Sequence, residues 1–592
     1  MFRSNRLGCA SISRRTFKEG ALDFKLTNAL NKPGNIILRT RNSFIRTLTS
    51  QAEEYGSESR VESFLKRGID PYPNFQFLST GNLDASSSSN LSPSSSGYNA
   101  DTLREVQQKL LNDEFSKTSS LPFNDLATLK ARFSSLEPGA RLKDTTMVLA
   151  GRILSRRDAS AKLVFYDIMI EHNKVQVMAS LGNYSKASCD KSFVDAHCGL
   201  RRGDIVRLVG FVGKSKAGEL SIFATSAPQL LAPCLPVLPL ATQLGSLEQR
   251  FRRRPLALLL HDPTIKAVKI RAKVLQGIRR YLDARGFLEV ETPILAVQAG
   301  GAAARPFTTN CRALDAPLHL RISPELYLKQ MVVGGFDRVY ELGRVFRNES
   351  IDPSHNPEFT TCEFYLAYAN LETLFQMTEE LLGELVQGSI GSFSVKTPDG
   401  VISFQAPFSR IHVVDELTRQ LGPLPAFDGP VEPWLALCNA RGIKVVSPLT
   451  MTRVLDALIG ALIEPQCTQP TFLFGHPLVM SPLAKSVSRA SNLSARFELF
   501  IGKREFINAY EELNSPSEQI DRFSAQLKDR DSGDTEAHEL NQDFCDALSY
   551  GLPPTAGWGL GVDRLVSLLA NSSNIRSTLT FPILRSLQAN DT

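Results

Sequence analysis

No two of the nine cysteines form a CxxC pair; they are scattered over positions 9, 189, 198, 234, 311, 362, 438, 467 and 545. That scatter argues against a zinc site and against a disulfide framework, and it fits a reducing compartment. The chain also lacks an apolar run long enough to span a bilayer, so no membrane partner is expected. Nor does it carry an informative surplus of charge. The formal net charge is +6, but residues 1–50 hold seven Arg and three Lys against two acids, a net of +8 that leaves −2 for the remainder. Overall charge therefore says nothing about nucleic acid, and motifs must carry any such claim. What remains is an ordinary globular composition, 42% hydrophobic and 22% charged, on 592 residues. That is enough for two or three domains with full cores.

Residues 1–50 are rich in Arg, Ser and Thr, and their first acid is Glu19. They lack the apolar core of a secretory signal and have the composition of an organellar transit peptide. The mitochondrial matrix is the favoured address, with a plastid or a dual cytosolic form as the alternatives; a basic tail that helps hold RNA is the other reading of the same residues. Residues 51–138 read as a helical extension interrupted by a serine-rich insert at 79–100, which cannot bury a core and is expected to be disordered. From 139 to 236 the pattern turns to short alternating runs, among them TTMVLAGRIL, KLVFYDIMIE, KVQVMASL, DIVRLVGFVG and ELSIFAT. Five strands with a helical stretch after the third predict a small OB-type barrel, a fold that binds single-stranded nucleic acid by stacking and edge contacts. A Pro-rich linker is expected over 237–264.

The most informative stretch is Arg338 to Tyr368, RVYELGRVFRNESIDPSHNPEFTTCEFYLAY. Alternating apolar runs flank a polar segment, which predicts an antiparallel strand, a loop too long for a tight turn, and a return strand. Arg347 stands where the first strand ends, placed to grip a phosphate with its planar fork. Glu363 and Tyr365 lie two apart on the return strand, hence on one face.

FRNES…HNPEFTTCEFYLAY resembles motif 2 of the class II aminoacyl-tRNA synthetases in its lysine-specific form, and the likeness runs from about residue 61 to about residue 586. It implies an α+β architecture: an N-terminal OB-type barrel, then a class II catalytic domain over 265–592 on a mixed, mainly antiparallel sheet with flanking helices. The helix IKAVKIRAKVLQGIRRYLDARGF followed by LEVETPIL resembles motif 1, which implies a two-fold homodimer. GWGLGVDRL resembles motif 3. A dinucleotide fingerprint is rejected there, because GWGLG follows PPTA rather than a strand. The activity implied is ATP-dependent attachment of L-lysine to tRNA(Lys) through a lysyl-adenylate. The alternatives are an inactive homologue serving as an RNA-binding scaffold, and a lysyl-transferase acting on a protein. Residues 391–470 look like the family's extra segment and carry no chemistry legible in the sequence.

The same resemblance implies the site residues. Phe165, Gln176 and Glu219 would contact the anticodon, Phe165 by stacking. Arg347 and Arg564 would be catalytic. ATP would lie among Arg347, Asn348, Glu349, His355, Asn356, Phe359, Glu505, Phe506, Gly561, Asp563 and Arg564. Lysine brings two ammonium groups, so its pocket needs at least two carboxylates. Glu512 and Tyr365 would hold the ε-ammonium, Glu325 and Glu363 the α-ammonium, and Arg347 with Asn508 the carboxylate, with Tyr510 and Gly301 completing the wall. Alternation places Asn508, Tyr510 and Glu512 on one strand face. Mg2+, brought with ATP, would take Glu498 and Glu505. RFELFIGKREFINAY reads as a hairpin turning at Gly502 and Lys503 with Phe500 facing Glu505. Strict alternation then puts Glu505 on the wrong face for Asn508, so a bulge is predicted between them.

Overall fold

The computed structural model describes residues 57–73, 126–184, 193–488 and 491–584. The basic leader, the serine-rich stretch and most of the expected helical extension lie outside them. The chain divides into two compact units, residues 1–239 and 240–592.

In the first unit, β1 (Arg141–Ser160), β2 (Leu163–Ile170), β3 (Asn173–Ser180), β4 (Ile205–Lys214) and β5 (Leu220–Ala224) are the five expected strands, and a helix at Phe193–His197 follows the third. A short β6 (Gln229–Ala232) adds to β4. The pairings run β1–β2–β3–β5–β4 and return to β1. Strict alternation along β2 explains its fit: Val164, Tyr166, Ile168 and Ile170 are buried, and the residues between them are not. Phe165 is one of those between, so it is not core. Each fully buried aliphatic or aromatic side chain contributes roughly 1.5–3 kcal/mol.

The second unit is built on an eight-stranded sheet. Its strands are β7 (Leu288–Glu289), β8 (Arg338–Phe346), β9 (Glu358–Ala367), β10 (Ser409–His412), β11 (Thr471–Phe474), β12 (Arg496–Ile501), β13 (Arg504–Glu511) and β14 (Thr555–Gly561), in the order β10–β11–β12–β13–β14–β9–β8–β7. The β10–β11 and β8–β7 pairings at the two edges are parallel and the rest antiparallel. Across LEVETPIL, the second part of the motif 1 resemblance, strand structure is limited to two-residue pieces at Leu288–Glu289 and Leu295–Ala296.

Helices α1 (Asp262–Asp283), α2 (Glu325–Val333), α3 (Leu371–Ile390), α4 (Met451–Leu462) and α5 (Val562–Leu569) matter most for the site. Apolar residues of α1, α3 and α5, such as Val274, Ile278, Leu382 and Val566, pack in one cluster with Cys362, Phe364, Phe497, Leu499, Ile507, Ala509, Trp558 and Leu560 of the sheet. Those strand residues are every second one, which leaves Thr361, Glu363, Tyr365, Glu498, Asn508, Tyr510 and Gly557 on the opposite face. The stretch read as linker is largely helical, at Leu247–Arg252 and Arg254–Leu260. Ser246 caps the first of these in a capping box with Gln249, a signal the Pro content obscured. Between β10 and β11 three helices, the last of them α4, bury Trp434, Val454 and Leu458 in a core of their own.

Candidate active site

A cavity of about 630 Å³ opens on the polar face of the sheet. It is lined by Gly301, Glu325, Arg347, Glu349, His355, Asn356, Phe359, Glu363, Tyr365, Glu498, Glu505, Phe506, Asn508, Tyr510, Gly561, Asp563 and Arg564. Period-two alternation on adjacent strands aims Phe359, Glu363, Tyr365, Glu498, Asn508 and Tyr510 into it, and loops and helix starts at the strand ends bring Gly301, Glu325, Arg347, His355 and Arg564 beside them.

At one end the acids gather. Glu325 opens α2, and its Oε1 accepts from the Tyr510 hydroxyl and from Lys329 Nζ, each at 2.6 Å. Ser323 Oγ donates to Glu363 at 3.0 Å and accepts from the Glu325 backbone N–H. Burial, reinforced by Glu325, pushes the Glu363 carboxyl up to about 8. Burial also raises the Tyr365 and Tyr510 hydroxyls, which therefore stay protonated and can donate. Glu512 does not line the cavity. It is buried, ion-paired with Lys329, and its Oε1 has no hydrogen-bond partner. A Cβ on Gly557 would overlap that Oε1 and the Tyr365 ring, so the bare glycine, which does line the cavity, opens the space between them. Gly301, at φ +83°, likewise lies where a Cβ would press on Glu325 and Ser323.

At the other end the guanidiniums gather. Arg347 lies 5.1 Å from the Phe359 ring centroid. Arg564, on the first turn of α5, donates to the Glu505 carbonyl at 2.5 Å and stands 3.4 Å from its carboxylate. The loop between β8 and β9 is organised by Asp352, which accepts from the backbone N–H of Ser354 and His355 and pairs with His355 Nδ1 at 2.9 Å. Burial alone would raise the Asp352 carboxyl, but these donors outweigh it and hold it at about 2. Asn356 keeps a buried Oδ1 without a partner.

The β12–β13 hairpin turns at Gly502 and Lys503, both with positive φ. Phe500 pairs with Glu505 while Leu499 pairs with Ile507, so Phe506 is the extra residue of a bulge. That bulge returns Glu505 to the face of Asn508, whose register partner is Glu498.

Besides Glu512, which stands behind the cavity wall rather than on it, two further expectations change. Asn348 is exposed and does not line the cavity; past the strand end the Glu349 backbone N–H donates to the Arg347 carbonyl at 2.9 Å, a tight turn centred on Asn348 that leaves this residue outside. Asp563 reaches the wall, but its oxygens are taken by Arg271 and by the Thr360 backbone N–H at 2.7 Å, so it ties α5 to α1 and β9 rather than offering a free ligand.

Other site residues went unforeseen. Arg496 spans Asn508 Oδ1, at 3.0 Å, and Glu498. Its even spacing from Glu498 on an alternating strand was the available signal. Buried His476 pairs with Glu498 from the other side at 3.2 Å; burial would raise Glu498, but Arg496 and His476 hold it at about 2. The extra segment is not silent either. Asp456 of α4 lines the cavity, and burial together with Asp456, Glu498 and Glu505 pushes Glu464 up to about 7. Nothing in the local pattern around Asp456 could have revealed this, because its proximity is purely tertiary.

The first unit has its own polar face. Gln176 donates to Glu219 at 2.9 Å and accepts from Ser221. With Lys130, Phe133, Lys174 and Lys214 they line a shallow cavity of about 260 Å³. Phe165 is outside that cavity, half-buried, with the Arg157 guanidinium 4.8 Å from its ring. It stands two residues from Asp167, the register partner of Gln176.

Comparison with known proteins agrees with this geometry. Residues 246–585 match the family model of the class II tRNA synthetases (D, K and N). The chain is 41% identical over 506 residues to the lysine–tRNA ligase cla4 of Cladosporium cladosporioides, covering 81% of this chain and 84% of that one. It is 43% identical over 451 residues to a probable cytoplasmic lysine–tRNA ligase of Encephalitozoon cuniculi, covering 74% and 87%. With the lysine–tRNA ligase of Bacillus cereus it shares 38% over 488 residues, covering 82% and 95%. The chain belongs to the class II tRNA synthetases.

Proposed function

We propose that this chain is a lysine–tRNA ligase, which activates L-lysine with ATP and transfers it to tRNA(Lys). One observation carries the choice of amino acid. Glu325 and Glu512 are buried against a single resident ammonium, that of Lys329, and Glu363 is buried beside Glu325, whose charge helps to raise its carboxyl. Burying surplus negative charge is costly unless a cation arrives, and a substrate with two ammonium groups supplies the match. A neutral side chain of the same length would leave Glu512 Oε1, the oxygen outside its pair with Lys329, without a cation, which disfavours it strongly.

The reaction follows from the placement of the charges. The lysine carboxylate attacks the α-phosphorus of ATP in line, the bond to the bridging oxygen breaks, and pyrophosphate leaves. A terminal hydroxyl of the tRNA then takes the lysyl group from the adenylate and AMP departs. Arg347 steadies the α-phosphate and the lysine carboxylate, the latter with Asn508. Phe359 and Arg564 sandwich adenine, Arg564 reaching the γ-phosphate. No side chain acts as a nucleophile; positioning and charge stabilisation supply the rate.

Mg2+ fits the donor set. Among the described residues no group of three or more His, Cys, Asp or Glu could hold a metal ion, but Glu498 and Glu505 share the cavity wall. Two carboxylates completed by phosphate oxygens and water are the usual surroundings of this ion, which would draw charge from the phosphates when bound with ATP.

The finer parts of the reading belong here too. The closed circuit of β1–β5 supports an OB-type barrel over 139–236 that holds the anticodon with Phe165, Gln176 and Glu219. Exposed Leu288, Ile294, Leu295 and Val297 at motif 1 support a homodimer. The Arg- and Ser-rich leader supports import into the mitochondrial matrix. Lysine-dependent exchange of pyrophosphate into ATP, beside a Glu512→Gln variant, tests the central claim. Exchange with lysine alone, lost in the variant, is expected; exchange with another amino acid or with none would refute it.

A further inference from the structure

Lys329 belongs to none of the roles described above, yet it is the most deeply committed cation in the unit. It is a fully buried lysine, 0% exposed, one turn into α2. Its Nζ donates to Glu325 Oε1 at 2.6 Å and pairs with Glu512 Oε2. The rings of Tyr510 and Phe544 stand 5.5 and 5.7 Å from it and close off other approaches. Burial works to lower its pKa, and the two carboxylates outweigh that and raise it, so the ammonium stays charged.

Its position has two consequences. Charge is the first: burial raises Glu363 and Glu512, and once all three carboxyls are ionised, as pairing with ammonium groups requires, three carboxylates less one resident ammonium leave a deficit of two positive charges, which is what a diamino acid brings when its carboxylate is matched by Arg347. Direction is the second. Lys329 is ion-paired with Glu512 Oε2, so the oxygen outside that pair is Oε1, beside Gly557 at the cavity wall. On the lysine reading above, we infer that Lys329 is a specificity-determining residue: a resident third ammonium that sets the number of cationic groups the pocket accepts at two and turns Glu512 Oε1 toward the side-chain ammonium of the substrate.

Lysine-dependent pyrophosphate exchange on the full chain tests this, comparing wild type with Lys329→Met and Lys329→Ala. Wild type without lysine-dependent exchange would defeat the lysine reading itself, before the variants are considered. With wild type active, Lys329→Met is expected to raise KM for lysine on the order of a hundredfold, as when a buried charge loses its partner, and to leave KM for ATP within about twofold. Lys329→Ala is expected to recover on adding propylammonium, which refills the void with a cation, and not on adding propanol. A folded Lys329→Met with unchanged KM for lysine would overturn the inference, as would equal rescue by propanol, which would make the role one of packing. If neither variant folds alone, folding restored by propylammonium and not by propanol supports it, and folding restored by both or by neither overturns it.

Discussion

Lysine activation should depend on the protonation of Glu363. The carboxyl is buried beside Glu325 and sits at about 8, so at pH 7 the free enzyme holds it neutral in about ten molecules of eleven. A neutral carboxyl cannot pair with an ammonium, and binding must first expel the proton, at a cost of about 1.4 kcal/mol per pH unit below 8. KM for lysine should therefore fall about tenfold from pH 6 to 7, fall again toward 8, and then level off. Calorimetric titration of lysine at pH 7 in buffers of different ionisation enthalpy should register close to one proton released. Glu363→Gln should abolish both the slope and the proton release while weakening binding at every pH. A KM flat between pH 6 and 8, with no proton released, would refute the reasoning. Stability carries the opposite dependence. The folded state binds this proton more tightly than the unfolded chain, whose carboxyl ionises near 4.5, so the contribution is fully present below 4.5 and is lost as pH rises to about 8.

Three other outcomes follow from particular contacts. Gly557→Ala places a methyl against Glu512 Oε1 and the Tyr365 ring, so KM for lysine should rise at least tenfold and melting should show a loss of about 1–3 kcal/mol, with KM for ATP unmoved. Arg271→Met leaves Asp563 buried with Thr360 N–H as its remaining partner, and denaturant unfolding should show a loss of about 3–5 kcal/mol. Phe165→Ala should raise KM for tRNA by the equivalent of about 1–3 kcal/mol of lost stacking while pyrophosphate exchange without tRNA stays at the wild-type rate.

What was legible in the chain was whatever repeats at short range. Period two identified β1–β5, β8, β9, β12 and β13 and which residues of β9 and β13 share a face, while β10, β11 and β14 went unread. It also exposed its own failure between Glu505 and Asn508, and the bulge at Phe506 resolved that conflict. The capped helices at 247–260 were missed because proline composition outweighed a local Ser246–Gln249 signal. The family resemblance implied one site for Arg347, Glu363, Asn508 and Arg564, and they line one cavity in the fold.

The rest depended on distance in the chain. Arg347 lines the cavity and Asn348 does not because of a tight turn just past the strand end, where alternation no longer applies. The commitment of Asp563 to Arg271 joins residues nearly 300 positions apart, and Asp456 reaches the acids of β12 and β13 only because three helices fold back from the sheet edge. Lys329 reads in the sequence as an ordinary helical lysine. Burial between Glu325 and Glu512 makes it a fixed charge, because removal from water turns a solvated side chain into one whose partners are obligatory. The amino-acid sequence by itself determined which side chains share a strand face; the tertiary structure decided which of them are desolvated together, and desolvation is what gives the pocket its demand for charge.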